Sequence, residues 1–176
     1  MNATRIAILA ILVSALAAGL GLYYLQVYYY YERIPVESAD VQLTRADTGL
    51  PEVVMIENYK GIDATSSPIR YRACFDLGRP VAELAEIYAP YEAAEPLVAP
   101  GWFDCFDAEE VGDALTEGRA VAFLGVENIR YGIDRVVAVF PDGRARSWHQ
   151  INACGEVVFD GNPAPEGCPP PPESMQ

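Results

Sequence analysis

From Ile6 to Tyr31 the chain reads IAILAILVSALAAGLGLYYLQVYYYY, an apolar run without a charged residue. About 20 consecutive apolar residues suffice for a helix to cross the hydrocarbon core of a bilayer, so the run predicts a transmembrane anchor. Ala15-Leu16-Ala17 resembles a small-x-small cleavage site, but the apolar run continues beyond it from Ala18, and a signal peptidase site normally ends the apolar region. The anchor is therefore expected to stay uncleaved. Arg5 precedes it, while Glu32, Glu37 and Asp40 follow with Arg33. Positive flanks are retained in the cytoplasm, which places the N-terminus inside and the rest of the chain outside. Tyr28 to Tyr31 suit the headgroup layer at the outer end. Within the span, Ala7, Ala10, Ser14, Ala17 and Gly21 recur every three or four residues and form one small-residue helix face. Such faces let membrane helices approach closely.

After the anchor the apolar pattern shortens and changes period. Residues 32–51 read as a juxtamembrane connector with a short strand at 41–43, residues 52–162 as one extracytoplasmic domain, and 163–176 as a proline-rich tail. Residues 1–31 are the cytoplasmic start and the anchor. Glu52–Glu57 predicts a strand and Lys60-Gly61 a turn. Ile69, Tyr71, Ala73 and Phe75 alternate with Arg70, Arg72 and Cys74, the pattern of a half-buried strand with one polar face. Val81, Leu84, Ile87 and Tyr88 carry helical spacing, with Pro80 at the first turn. Tyr91 to Gly101 is expected as a loop that turns Leu97 and Trp102 inward.

Asp107 followed by Glu109 and Glu110 is a helix-capping signature, and the helix it opens should bury Val111, Ala114 and Leu115 before Gly118 ends it. Strands are predicted at 119–125, 135–140 and 144–151. Pro141-Asp142-Gly143 between the last two is the strongest hairpin signal in the chain. Glu156–Phe159 is expected as a final short strand. Strands and helices mix without a βαβ repeat, so the fold class is α+β with a mainly antiparallel sheet and two short helices.

Charge narrows the function classes. The chain holds 25 acidic against 12 basic residues, a net charge of −13. All the acids lie beyond the anchor, which argues against nucleic acid and against docking on anionic lipid. All four cysteines, Cys74, Cys105, Cys154 and Cys168, lie on the expected outer side, where disulfides persist. Three pairings are available to them. The expected one is Cys74–Cys105, since each precedes a predicted helix start, with Cys154–Cys168 tying the tail to the domain. His149 is the single imidazole and no CxxC occurs, so neither a metal site nor any other cofactor is expected.

Two groups have candidate chemistry. Arg70 and Arg72, on one strand face, could hold a carboxylate or phosphate, although the many carboxylates of the chain offer internal partners first. His149 could serve as a general base only with a nucleophile and an orienting carboxylate at hand, and a structural role is the simpler reading. Trp102, Phe103 and Phe106 around Cys105 read as core.

The runs APGWFDCFDA (Ala99–Ala108), IRYGIDRVVAVFPDGR (Ile129–Arg144) and WHQINACGEVVFDG (Trp148–Gly161) resemble an uncharacterised bacterial family of small single-anchor proteins. The resemblance spans nearly the whole chain. It implies an anchor and an outer domain, and it implies no activity. Some such proteins carry a histidine-kinase label, which this chain does not fit: it is too short for a kinase core and has no nucleotide-binding glycine motif. The expectation is a non-enzymatic, single-pass protein of the bacterial inner membrane. Its periplasmic domain would act in interaction or assembly, with the membrane and a transmembrane partner or a second copy as its contacts. The alternative is a sensor domain for a small anion or metal.

Overall fold

The computed structural model describes residues 2–173, in two compact units, Met1–Glu32 and Arg33–Gln176. In the first, helix α1 (Ala3–Tyr24) runs into a π-helical turn at Leu25–Tyr29. Together they form a 27-residue apolar helix with none of its length buried, long enough to cross a membrane. The Ser14 hydroxyl donates to the Ala10 carbonyl at 2.6 Å, within the small-residue face, and so satisfies itself without a partner helix.

The second unit is built on a six-stranded, mainly antiparallel sheet, among the described residues, in the order β1-β4-β5-β8-β7-β6. Its strands are β1 (Glu32–Ile34), β4 (Ile56–Asp63), β5 (Arg72–Leu77), β6 (Val121–Arg130), β7 (Ile133–Val139) and β8 (Arg144–Ile151). Strands β2 (Gln42–Thr44) and β3 (Pro51–Val53) pair separately. Residues 88–91 bridge the two sheets: Ala89 N donates to Thr44 O, while Leu124 N donates to Ala89 O and Tyr91 N to Ala122 O.

At the outer end of the small sheet, Pro51 and Val53 face Thr44 and Gln42. The flanking ladder bonds run from Val54 N to Val41 O and from Arg45 N to Leu50 O. By antiparallel alternation, the main-chain groups of Pro51 and Val53 therefore point away from β2.

The alternating positions of β5 pack as their period predicts. Tyr71, Ala73, Phe75 and Leu77 join Val41, Leu43, Leu84, Tyr88, Phe123, Val137, Val139 and Ala145 in one core. Helix α2 (Val81–Ile87) closes this side with Leu84, and the side chain of Thr44 reaches the Gly125 carbonyl at 2.9 Å. At the PDG turn, Gly143 takes φ +87°, a left-handed conformation open to glycine at little cost. Helix α3 (Ala108–Thr116) starts at Asp107, whose carboxylate accepts from Glu109 N and Glu110 N. It buries Val111 and Ala114, with Leu115 half-buried.

Several expectations are corrected. The predicted strand at 52–57 is two strands in different sheets, β3 and β4, with Val54 and Met55 at the corner between them. Lys60-Gly61 is not a turn but lies within β4, whose irregularity falls at Asn58, with φ 52° and a register shift between Glu57 and Lys60. Glu156–Phe159 is not a strand: it belongs to helix α4 (Ala153–Phe159), started by the Asn152 side chain accepting from Cys154 N and Gly155 N. Residues 32–51 are no mere connector, for they supply β1 and β2, and Val41 and Leu43 are core.

The face of β5 that carries Arg72 and Cys74 is not solvated. Both are buried, and on the neighbouring strand β8 every residue from Ala145 to Gln150 is buried, so the sheet is covered on both sides here.

Candidate functional site

The second cover is the irregular segment between α2 and α3, and the side chains that hold it are those with candidate chemistry. Arg72, 4% exposed, donates from Nε to Leu97 O at 2.7 Å and from Nη2 to Val98 O at 3.1 Å. Its Nη1 donates to Ile69 O and Tyr71 O. The guanidinium also lies 5.7 Å from the centre of the Phe106 ring. Its fork is thus spent on main-chain carbonyls, which places it as a clamp on the segment and not as a cradle for an anion. Arg70 precedes β5, so the two arginines do not share a strand face.

Gln150 extends the clamp. Its Oε1 accepts from Glu95 N and Trp148 Nε1, and its Nε2 donates to Ala93 O. Trp148, fully buried, meets the edge of Phe106. The Cys74–Cys105 disulfide then bonds the end of the segment to β5.

On the opposite face of β8 sits His149, 5% exposed and stacked on Tyr71 with ring centres 4.5 Å apart. Its Nδ1 lies 2.7 Å from the Pro68 carbonyl, and its Nε2 accepts from Arg135 Nε at 3.0 Å. This network fits one form only, the neutral ring with its proton on Nδ1. Burial, reinforced by the Arg135 charge, lowers the imidazole pKa to about 3. Arg135 stands over the other half of the cluster, 4.2 Å from the centre of the Tyr71 ring, and donates from Nη1 to Asp40 O. Burial raises the neighbouring Asp63 carboxyl and, with the Tyr71 hydroxyl beside it, the Tyr59 phenol. Among the described residues no nucleophile shares a hydrogen bond with His149, whose two ring nitrogens are already engaged.

A second polar cluster, not legible as a motif, centres on Asp134. Its carboxyl accepts from Asn128 N at 2.8 Å, Asn152 Nδ2 at 2.7 Å and Tyr91 Oη at 3.0 Å. Asn128, in the left-handed region at φ 46°, accepts through its own side chain from Gly132 N. The cluster binds three pieces of chain together: the β6–β7 turn, the start of α4 and the segment after α2. Burial and Asp134 together push the Tyr91 phenol upward. The only sequence signal was the pair of Asn residues flanking turn and helix positions.

The four cysteines pair as expected, Cys74–Cys105 and Cys154–Cys168. Phe103 and Phe106 are buried, whereas Trp102 is half-exposed, with Arg33 at 6.0 Å from its ring centre. Leu97, like Trp102, is only half-buried. The stripe Ala7, Ala10, Ser14, Ala17 and Gly21 lies on α1, where no residue is buried.

Open concavities exist elsewhere. One cleft of about 320 Å³ lies between Val53–Met55 and Leu77–Arg79, floored by Leu84 and Tyr88. Another of about 370 Å³ is lined by Arg33–Val36, Tyr59–Gly61 and Trp102–Asp104. Neither contains His149, Arg72 or Asp134. Among the described residues, no group of three or more His, Cys, Asp or Glu side chains converges as metal ligands would.

Compared with known proteins, residues 41–169 match the model of a family described as a family of unknown function (DUF6446). No curated protein and no solved structure matches the chain.

Proposed function

The chain belongs to DUF6446, a family of unknown function, and from its own architecture we propose that it is a membrane-tethered interaction or assembly module without catalytic activity. The apolar helix α1 would be an uncleaved anchor in a bacterial inner membrane, its N-terminus cytoplasmic and its domain periplasmic. Two disulfides support an oxidising compartment. Arg5 before the span and the acidic residues after it support the orientation.

The observation that carries the non-catalytic reading is the engagement of His149. The single imidazole has both nitrogens in internal hydrogen bonds and stacks on Tyr71. Arg72 is likewise spent on four carbonyl contacts, which ranks the anion-sensor alternative second. The small-residue face of α1 is the proposed contact with a transmembrane partner or a second copy.

The test is chemical crosslinking in intact membranes followed by purification of the full chain, beside a chain whose anchor is replaced by an unrelated span. The reading expects discrete partners that the replacement depletes. Identical recovery from both chains would remove the anchor from the interaction, and a mature chain beginning at Ala18 would remove the tether itself.

A further inference from the structure

Taking the tethered reading as its basis, we infer that the cleft beside β1 binds the zwitterionic headgroup of an aminophospholipid, through both its phosphodiester and its primary ammonium. The cleft, of about 370 Å³, is lined by Arg33–Val36, Tyr59–Gly61 and Trp102–Asp104. That size falls in the range of small-ligand sites, roughly 300–1,000 Å³.

Three pieces of chain build it. β1 lies beside β4 at the edge of the large sheet, which sets Arg33 and Lys60 on neighbouring strands. Lys60 stands opposite Cys74 in the β4–β5 register, and opposed residues send their side chains to the same face. Cys74 is bonded to Cys105. The disulfide therefore holds Trp102–Asp104 on the side of the sheet to which Lys60 points. Arg33 lies 6.0 Å from the centre of the Trp102 ring.

The charges of the cleft are unlike the others of the domain. Arg45, Arg119 and Arg144 each hold a carboxylate. Among the described residues Arg33 and Lys60, both exposed, form no ion pair, although 25 acids stand against 12 bases. Asp104, also exposed, forms none either.

Position in the chain supplies the ligand. Arg33 is two residues beyond Tyr31, the last of the four tyrosines that suit the headgroup layer, so the two Cα atoms are at most about 7 Å apart. An anchor that sets Tyr31 among the headgroups sets Arg33 within their reach, whatever the tilt of the domain. A lipid phosphodiester accepts from the Arg33 fork and the Lys60 ammonium. The Asp104 carboxylate accepts from the headgroup's primary ammonium. Ile34, Val36 and the Trp102 indole give an apolar margin for the glycerol end. Two cations and one acid match a zwitterion. An anionic headgroup without an ammonium leaves Asp104 unmatched and meets the net negative charge of the domain.

The experiment uses the full chain in phosphatidylcholine nanodiscs containing a minor share of one photoreactive lipid, with a diazirine at the top of its acyl chain. Parallel samples carry the diazirine on a phosphatidylethanolamine, a phosphatidylcholine or a phosphatidylglycerol. Light should place adducts within residues 102–104 at least fivefold more from phosphatidylethanolamine than from the other two. Arg33→Gln with Lys60→Gln should cut that yield at least fivefold. Arg79→Gln with Arg130→Gln removes the same charge from two exposed sites outside the cleft and should leave it within twofold. Asp104→Asn should reduce phosphatidylethanolamine to the level of phosphatidylcholine. Equal yields from the three lipids, or equal losses in the two double variants, overturn the inference. So does displacement of the lipid by an equal concentration of soluble glycerophosphoethanolamine, which would assign the cleft to a soluble ligand. Intact mass of the purified chain separates the two levels. A chain beginning at Ala18 sinks the tether and the lipid site together, whereas failure with the anchor present sinks the lipid site alone.

Discussion

Acidification should weaken this domain through His149, by an amount that the structure sets. In the folded state the imidazole is neutral, with a pKa of about 3 against 6.5 for the unperturbed group. Between those values the unfolded chain binds a proton that the folded chain refuses. Stability therefore rises with pH across this window, is complete above about pH 7, and falls as pH drops below 6.5. Between pH 7 and pH 5 the loss from this group alone is about 2 kcal/mol, from 1.36 kcal/mol for each unit of separation.

The physical reason is concrete. A protonated ring would present a donor at Nε2 to the Arg135 Nε–H, which is itself a donor, and would add a second charge beside the guanidinium. His149→Gln cannot protonate in this range. At pH 7 it should cost about 1–3 kcal/mol, because one amide cannot reproduce both hydrogen bonds and the stack on Tyr71. Its pH 7 to pH 5 loss should nevertheless be about 2 kcal/mol smaller than that of the native chain. Urea unfolding of the oxidised full chain in detergent, followed by tryptophan fluorescence at both pH values, measures the difference. Parallel pH profiles for the two proteins would show that His149 does not hold the neutral, doubly bonded state.

Other expectations follow from the same contacts. Removing Cys154–Cys168, with 14 residues of separation, should cost about 3 kcal/mol and removing Cys74–Cys105, with 31, about 4 kcal/mol in the chain-entropy treatment; non-reducing peptide maps and urea midpoints check pairing and cost. Arg72→Met should destabilise by about 1–3 kcal/mol, since the part-buried carbonyls of Leu97 and Val98 in the covering segment lose their donor, and limited proteolysis should then cut first between Tyr91 and Asp107. Ala17→Leu with Gly21→Leu should reduce co-purification of membrane partners in mild detergent far more than Leu16→Ala with Leu20→Ala. Equal recovery from the two double variants would mark the small-residue face as incidental.

The apolar N-terminal helix, the hairpin at Pro141–Gly143, helices α2 and α3 and the cysteine pairing were legible because each rests on local chemistry: an unbroken apolar run, a turn triplet, a capping aspartate, thiols beside predicted helix starts. The failures have a common cause in contacts made at long range. Val157-Val158-Phe159 favours a strand by propensity, yet Asn152 caps a helix there and Gly155 packs against Gly132 so closely that a β-carbon would collide with the Gly132 carbonyl. Tertiary packing overrode a weak preference. Lys60-Gly61 looked like a turn, but Gly61 is buried in β4 because the Tyr59 ring lies across the space a side chain would fill. The Arg72 face of β5 read as polar because period alone does not show that a loop returns to cover it. No local pattern announced the carbonyls of Leu97 and Val98 as partners of Arg72, nor the meeting of Asn128, Asp134 and Asn152.

The outer edge of the small sheet has a meaning for crowding. A membrane-length helix at one end of a chain would confine its copies to a plane, where neighbours collide repeatedly in similar orientations. Open strands are hazardous there, since each unpaired edge can template the next molecule. β3 offers only three residues, and of its two outward-facing positions one is Pro51, which has no N–H to give. β1, at the far edge of the large sheet, is equally short. These two borders are thus too brief to seed a ribbon from one molecule to the next.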